Sequence, residues 1–119
     1  PLPLGTWFGD ARLFNKEARS KANPIAFEVA ISPNGSMSGT FAGSTFESAA
    51  PKELNATHAL YVTKLSSGAN APGLEGREVL VLMVNRNAVQ VPDIDFHLKR
   101  RVGFDPGMLV GHVDIAGKK

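Results

Sequence analysis

Metal binding and acid–base catalysis need carboxylates and imidazoles, and the sequence places three such side chains close together. Asp93, Asp95 and His97 recur at every second position, so on a β-strand they share one face. Two carboxylates and one imidazole form a donor set that zinc accepts. Successive same-face residues of a flat strand are roughly 7 Å apart, however, which is too far to converge on one ion. We therefore expect no metal site, and instead a solvated outer face whose charges pair across strands.

A catalytic site would require one of the three histidines, His58, His97 or His112, beside a carboxylate at a cleft. The sequence contains no nucleophile elbow, phosphate-binding loop, dinucleotide fingerprint or metalloprotease motif, and the serines of Gly35–Thr40 have no evident base beside them. The absence of cysteine excludes a disulfide or a thiolate metal site. We expect neither catalytic residues nor a cofactor, with a histidine–carboxylate enzyme as an open alternative.

Composition indicates one packed domain over residues 1–119, with 43% hydrophobic and 20% charged residues. A net charge of +2 and a basic stretch, Leu98–Arg101, without interleaved aromatic residues give no reason to expect a nucleic acid partner. The longest apolar run, Val79–Val84, is far shorter than the roughly 20 residues that cross a bilayer, so we expect no membrane span. The chain starts at Pro1 without methionine, which fits either a removed leader of a secreted or periplasmic protein or a trimmed boundary.

Alternating apolar residues on both sides of Pro33–Gly35 predict a β-hairpin. A two-residue loop would turn the two apolar sets to opposite faces of the sheet, whereas a three-residue loop turns them to the same face. The pairs predicted by the three-residue loop are Ile31 with Met37, Val29 with Gly39, and Phe27 with Phe41. In this register Gly35 takes the left-handed position of the bulge that follows a type I turn.

Two glycines of the second hairpin strand, Gly39 and Gly43, are predicted to face inward, where a missing side chain permits sharp coiling of the sheet or close approach of another backbone. They either leave space for a ligand or relieve crowding at a corner of a barrel, and the sequence leaves both interpretations open. With Trp7, Phe27 and Phe41, they are the candidate lining of a ligand cavity.

The whole chain reads as seven or eight strands without a long helix. The predicted strands cover residues 5–14, 25–31, 37–43, 58–65, 77–84, 88–91, 93–102 and 108–116. Residues 15–24 form a polar connection, 66–76 a flexible loop and 103–107 a turn. Short connections favour an antiparallel up-and-down meander, and a meander of this size removes its exposed edges by closing into a barrel.

Two motifs carry a resemblance to a known family. Gly5 and Trp7 on the first strand, followed by Ser38–Phe41 on a later hairpin, resemble the calycin-like barrels: lipocalins, avidins and small lipocalin-like domains of bacterial secreted proteins. The resemblance implies that Trp7 closes one end of the barrel against a basic residue of the final strand. His112 is the candidate on that strand, and Arg100 or Arg101 would come from the strand before. An avidin-style site has no match in the chain.

The resemblance implies binding rather than chemistry. The leading expectation is a noncatalytic, lipocalin-like barrel, secreted or periplasmic, that binds a small apolar ligand or a partner protein. The alternative is a protein-interaction or structural module whose contact surface is the loop Ser66–Gly76 or an exposed strand edge. The sequence does not fix an oligomeric state.

Overall fold

The computed structural model describes residues 2–14, 24–88, 90–101 and 107–119, and within them the chain is all-β, as predicted. Across these ranges we find no helix that is long and apolar enough to cross a membrane. The strands are β1 (Gly5–Leu13), β2 (Ile25–Ile31), β3 (Met37–Phe41), β4 (Ser44–Ser48), β5 (Glu53–Leu54), β6 (His58–Lys64), β7 (Val79–Asn85), β8 (Asp93–Lys99) and β9 (Leu109–Lys118).

All of these strands form one antiparallel sheet in the order β4-β3-β2-β1-β9-β8-β7-β6-β5. Two meanders, β1–β4 and β5–β9, are joined by the pairing of β1 with β9. The sheet is strongly curled, and its edges approach where the backbone N–H of Ser66 donates to the carbonyl of Thr45, at 2.9 Å. No ladder joins β4 to β6 within the described residues. The antiparallel meander is therefore confirmed as a half-barrel, whereas closure into a full barrel stays a prediction.

The hairpin of β2 and β3 has the register expected from the alternating apolar residues. Ile31 pairs with Met37, and the two further predicted pairs follow in the same ladder. The N–H of Gly35 donates to the carbonyl of Ser32 at 2.9 Å, and Gly35 has a φ of +89°. The hydrogen bond closes the turn, and the positive φ is the left-handed conformation, in which a side chain would be strained. The predicted turn with its left-handed bulge is therefore confirmed.

The predicted strand over residues 37–43 is wrong at its end, because the chain reverses after Phe41. Ala42 and Gly43 have φ angles of +51° and +81°, which are the two positive values of a two-residue type I′ turn. Ser44 then pairs with Phe41, and β4 returns along β3. The sequence signal was weak, since alanine is an uncommon residue at a position with positive φ.

Other boundaries also differ from the sequence prediction. β5 is an additional strand of only two residues, and β9 continues to Lys118, two residues past the predicted end. The predicted strand over 88–91 is absent at the three residues of it that the structure describes. The polar connection over 15–23 and most of the turn over 103–107 lie outside the described residues.

The inner face of the curled sheet is filled by the side chains of the protein itself. Phe41 and Phe96 are fully buried and pack edge to face, with ring centroids 5.2 Å apart. Around them lie further side chains with less than 2% of their surface exposed: Val29, Leu74, Leu80, Leu82, Val84, Ile94, Leu98 and Val113. β7 is buried on both faces over most of its length, as its apolar sequence predicted. The half-barrel thus encloses a packed core.

A buried hydrogen bond joins the two meanders. The hydroxyl of Tyr61, on β6, donates to the carbonyl of Gly35 in the β2–β3 loop at 2.8 Å. Burial raises the pKa of Tyr61 above its ordinary value of 10.0, since the low-polarity surroundings disfavour the phenolate.

Candidate functional site

Three of the predicted cavity residues, Trp7, Phe27 and Phe41, belong to the packed core, with 7%, 3% and 0% of their surface exposed. Phe27 stacks on Phe46 of β4 at a centroid distance of 6.2 Å, and Phe41 contacts Phe96. Their faces are therefore occupied by neighbouring side chains. That these residues contact a ligand stays a prediction.

Gly39 has the close backbone approach that its position in the hairpin predicted. A Cβ at this position would lie 2.1 Å from the carbonyl oxygen of Glu28 and 2.7 Å from the ring of Phe46. The space left by the missing side chain is thus taken by the adjacent strand and by Phe46. Gly43, by contrast, lies in the exposed β3–β4 turn, so its predicted inward position is wrong.

Trp7 is buried in β1 and contacts groups near both ends of the chain. Its indole N–H donates to the carbonyl of Pro3 at 3.2 Å. The ammonium of Lys118 lies 5.3 Å from the centroid of the Trp7 ring, within the range of a cation–π contact. The basic residue of the final strand that contacts Trp7 is therefore Lys118 rather than the predicted His112. Lys118 was missed because the last strand was predicted to end at residue 116, two residues too early.

The densest group of ionisable side chains lies on the outer face of β8, β9 and β1. Asp95 on β8 pairs across the ladder with His112 on β9, which in turn pairs with Arg12 on β1. The Nδ1 atom of His112 lies 2.8 Å from a carboxylate oxygen of Asp95 and 3.7 Å from one of Asp93. We call Asp93, Asp95 and His112, together with Asp114, the His112 cluster.

The far side of the imidazole faces a second charged pair. Nε2 of His112 lies 3.9 Å from Asp114, and Asp114 accepts a hydrogen bond of 2.6 Å from Nε of Arg12. The ring of Phe14, directly after β1, lies nearly parallel to the imidazole, with centroids 6.5 Å apart. These contacts hold His112 in one orientation on a half-exposed surface.

The other two histidines stand apart from this cluster. His97 pairs with Val81 and Val110 on the neighbouring strands. Burial lowers the pKa of His97, and the positive charge of Lys99 lowers it further, against an opposing effect of Asp95. His58, at the start of β6, has its Nδ1 atom 2.9 Å from the hydroxyl of Thr57.

The structure therefore brings together two of the three residues considered as a local donor set. Asp93 and Asp95 face His112, whereas His97 lies in the row of apolar residues beside them. Asp95 has the expected partner across the strands, since its carboxylate lies 2.8 Å from Nδ1 of His112. No short-range pattern could identify His112 as the partner, because the β8–β9 register depends on a connection of nine residues.

The loop Ser66–Gly76 lines a polar surface groove and is more firmly anchored than its composition suggested. Leu74 and Ala69 are buried, and the N–H of Ala69 donates to the carbonyl of Arg77 at 2.8 Å. Hydroxyl and amide groups from residues 66–70 line this groove, and the His112 cluster does not contribute to it.

In comparisons with known proteins, no family model, no curated protein and no solved structure matches the chain.

Proposed function

We propose that this chain is a noncatalytic, lipocalin-like binding domain that recognises a partner protein through the outer face of its sheet. The observation that carries the proposal is the filled interior. Phe41, Phe96 and Leu82 are fully buried in one hydrophobic core. A small apolar ligand would therefore have to displace core side chains. Displacing such packing costs several kcal/mol, on the order of a large core substitution.

The lipocalin-like part of the proposal is supported by the contact between Trp7 and the final strand. Trp7 on the first strand lies beneath Lys118 of the final strand. This is the arrangement that the resemblance of Gly5 and Trp7 to calycin-like barrels implies. It supports the architecture and leaves the identity of the partner to experiment.

The binding face is assigned to β1 because it exposes two aromatic side chains on the outer side of the sheet. Phe8 and Phe14 are 39% and 48% exposed, and Arg12 lies between them. Aromatic residues and arginine are enriched where proteins bind proteins, because they bury large areas and retain polar contacts at the rim. An exposed strand edge at β5, with Leu54, is the competing surface.

Site-specific photocrosslinking distinguishes these two surfaces. A benzophenone amino acid is placed at Phe8, at Phe14 or at Leu54, and the folded chain is irradiated in an extract of the cells that produce it. We expect one discrete protein adduct from Phe8 and Phe14, suppressed by excess native chain and not by a chain carrying Phe8→Ser and Phe14→Ser. An adduct from Leu54 alone, or no adduct from either phenylalanine, would contradict the proposal.

A further inference from the structure

The orientation of His112 places one ring nitrogen and two carboxylates around the same point. Nδ1 lies 2.8 Å from Asp95 and 3.7 Å from Asp93, while Nε2 lies 3.9 Å from Asp114, which is too far for a hydrogen bond. A neutral imidazole has one N–H donor and one lone pair. With the proton on Nε2, the lone pair of Nδ1 is directed toward the two carboxylates, and a cation between them removes the resulting repulsion.

The distances fit a metal ion on the Nδ1 side of the ring. One ligand atom from each of Asp93, Asp95 and His112 lies within 4.8 Å of the other two. Donors placed about 2 Å from a tetrahedral ion are separated by about 3.4 Å. The Asp95 contact must therefore lengthen by about 0.6 Å and the Asp93 contact shorten by about 0.3 Å, and no pair has to close by more than about 1.4 Å, which half-exposed side chains can accommodate.

The surroundings of these three residues also match those of metal-binding histidines. A ligating imidazole is usually oriented by a carboxylate on its other nitrogen, and Asp114 stands on that side of His112. Asp114 is itself held by Arg12, and the ring of Phe14 lies nearly parallel to the imidazole, with centroids 6.5 Å apart. Three carboxylates and one guanidinium leave the cluster net negative, which attracts cations.

We infer that Asp93, Asp95 and His112 form a site for a divalent transition metal ion of the zinc type that bridges β8 and β9. The mixed nitrogen and oxygen donor set selects such ions over Mg²⁺, which prefers oxygen ligands in an octahedral arrangement. Three protein ligands leave a fourth position for water. Arg12 and Phe14 border both surfaces, but this inference does not depend on the proposed function, because zinc binding requires no partner protein.

Calorimetric titration of the purified full chain with zinc chloride tests the inference. We expect saturable binding of one ion per chain, unaffected by excess magnesium chloride, and a loss of affinity of at least about tenfold in His112→Asn. Asp95→Asn should give a loss in the same direction. The matched controls are His58→Asn and His97→Asn, which remove the other two imidazoles and should retain the affinity of the native chain.

Imidazole NMR signals give a second readout that does not depend on any variant. Zinc should shift the ring resonances of His112 and leave those of His58 unchanged. Absence of saturable zinc binding, or binding that survives His112→Asn and Asp95→Asn in folded protein, would overturn the inference. Loss of binding in His58→Asn instead would place the ion elsewhere and would overturn it equally.

Discussion

Different interactions stabilise the interior of the half-barrel and the outer face of β8, β9 and β1. Inside, Phe41, Phe96 and their neighbours are fully buried, and each is held by many weak contacts with no polar partner to satisfy. Outside, His112 and its carboxylates are half-exposed and are held by a few short, directional contacts. The interior therefore supplies stability. On the outer face, ionisable side chains that now contact each other remain accessible to a binding partner.

The largest expected effect comes from emptying the interior. Phe96→Ala removes a fully buried ring that packs on Phe41, and we expect the free energy of unfolding to fall by about 3–5 kcal/mol. The control is Phe8→Ala, which removes an equal ring from the exposed face and should cost less than about 1 kcal/mol. Urea denaturation of both variants measures the difference, and equal losses would contradict the comparison.

Overfilling the interior should have the next largest effect. Gly39→Ala places a methyl group 2.1 Å from the carbonyl oxygen of Glu28, so the strands must shift and we expect a loss of about 1–3 kcal/mol. Gly117→Ala is the matched control on the outer face. There the added methyl group would lie 3.3 Å from the movable ring of Phe8. Thermal unfolding should separate the two variants, and a Gly39→Ala protein as stable as Gly117→Ala would refute the close approach.

Removing the buried hydrogen bond of Tyr61 should have a smaller effect. Tyr61→Phe keeps the ring and leaves the carbonyl of Gly35 without its donor, so we expect a loss of roughly 1–2 kcal/mol in the free energy of unfolding. Chemical denaturation measures it. No measurable loss would mean that water replaces the hydroxyl at this carbonyl.

The same residue gives a pH-dependent signal, because Tyr61 is the single tyrosine of the chain. Its pKa in the folded state is raised, so its contribution to stability is complete below pH 10.0 and is lost as the pH rises through the folded-state pKa. Ultraviolet absorbance of the phenolate should show a midpoint above 10.0 in the folded chain and near that value in denaturant. Equal midpoints would contradict the burial of the hydroxyl.

The smallest effect is expected on the outer face. Asp114→Asn removes the half-exposed pair with Arg12 and should cost at most about 1 kcal/mol, less at high salt because mobile ions screen exposed charges. Glu53→Gln, on the exposed two-residue strand β5, serves as the reference for removal of one carboxylate. Denaturation at low and high salt compares them, and a cost that does not depend on salt would argue against a solvated pair.

The sequence predicted local features of the sheet better than the contacts on its outer face. The β2–β3 register could be derived because Gly35 and the alternating apolar residues are local signals that all favour one loop. The β3–β4 turn was missed because Ala42 adopts a positive φ that its side chain disfavours. On the outer face, the partnership of Asp95 with His112 joins residues 17 positions apart across two strands, and it depends on a register that no local pattern specifies.

We propose that the interior of the half-barrel is closed to ligands and that binding occurs on the outer face. Methyl NMR spectra of the folded chain, recorded during titration with hexadecanoate, test it directly. The filled core predicts that the methyl resonances of Leu80, Leu82 and Ile94 do not move. Saturable shifts of these resonances at one fatty acid per chain would contradict the account and would show that the core opens to an apolar ligand.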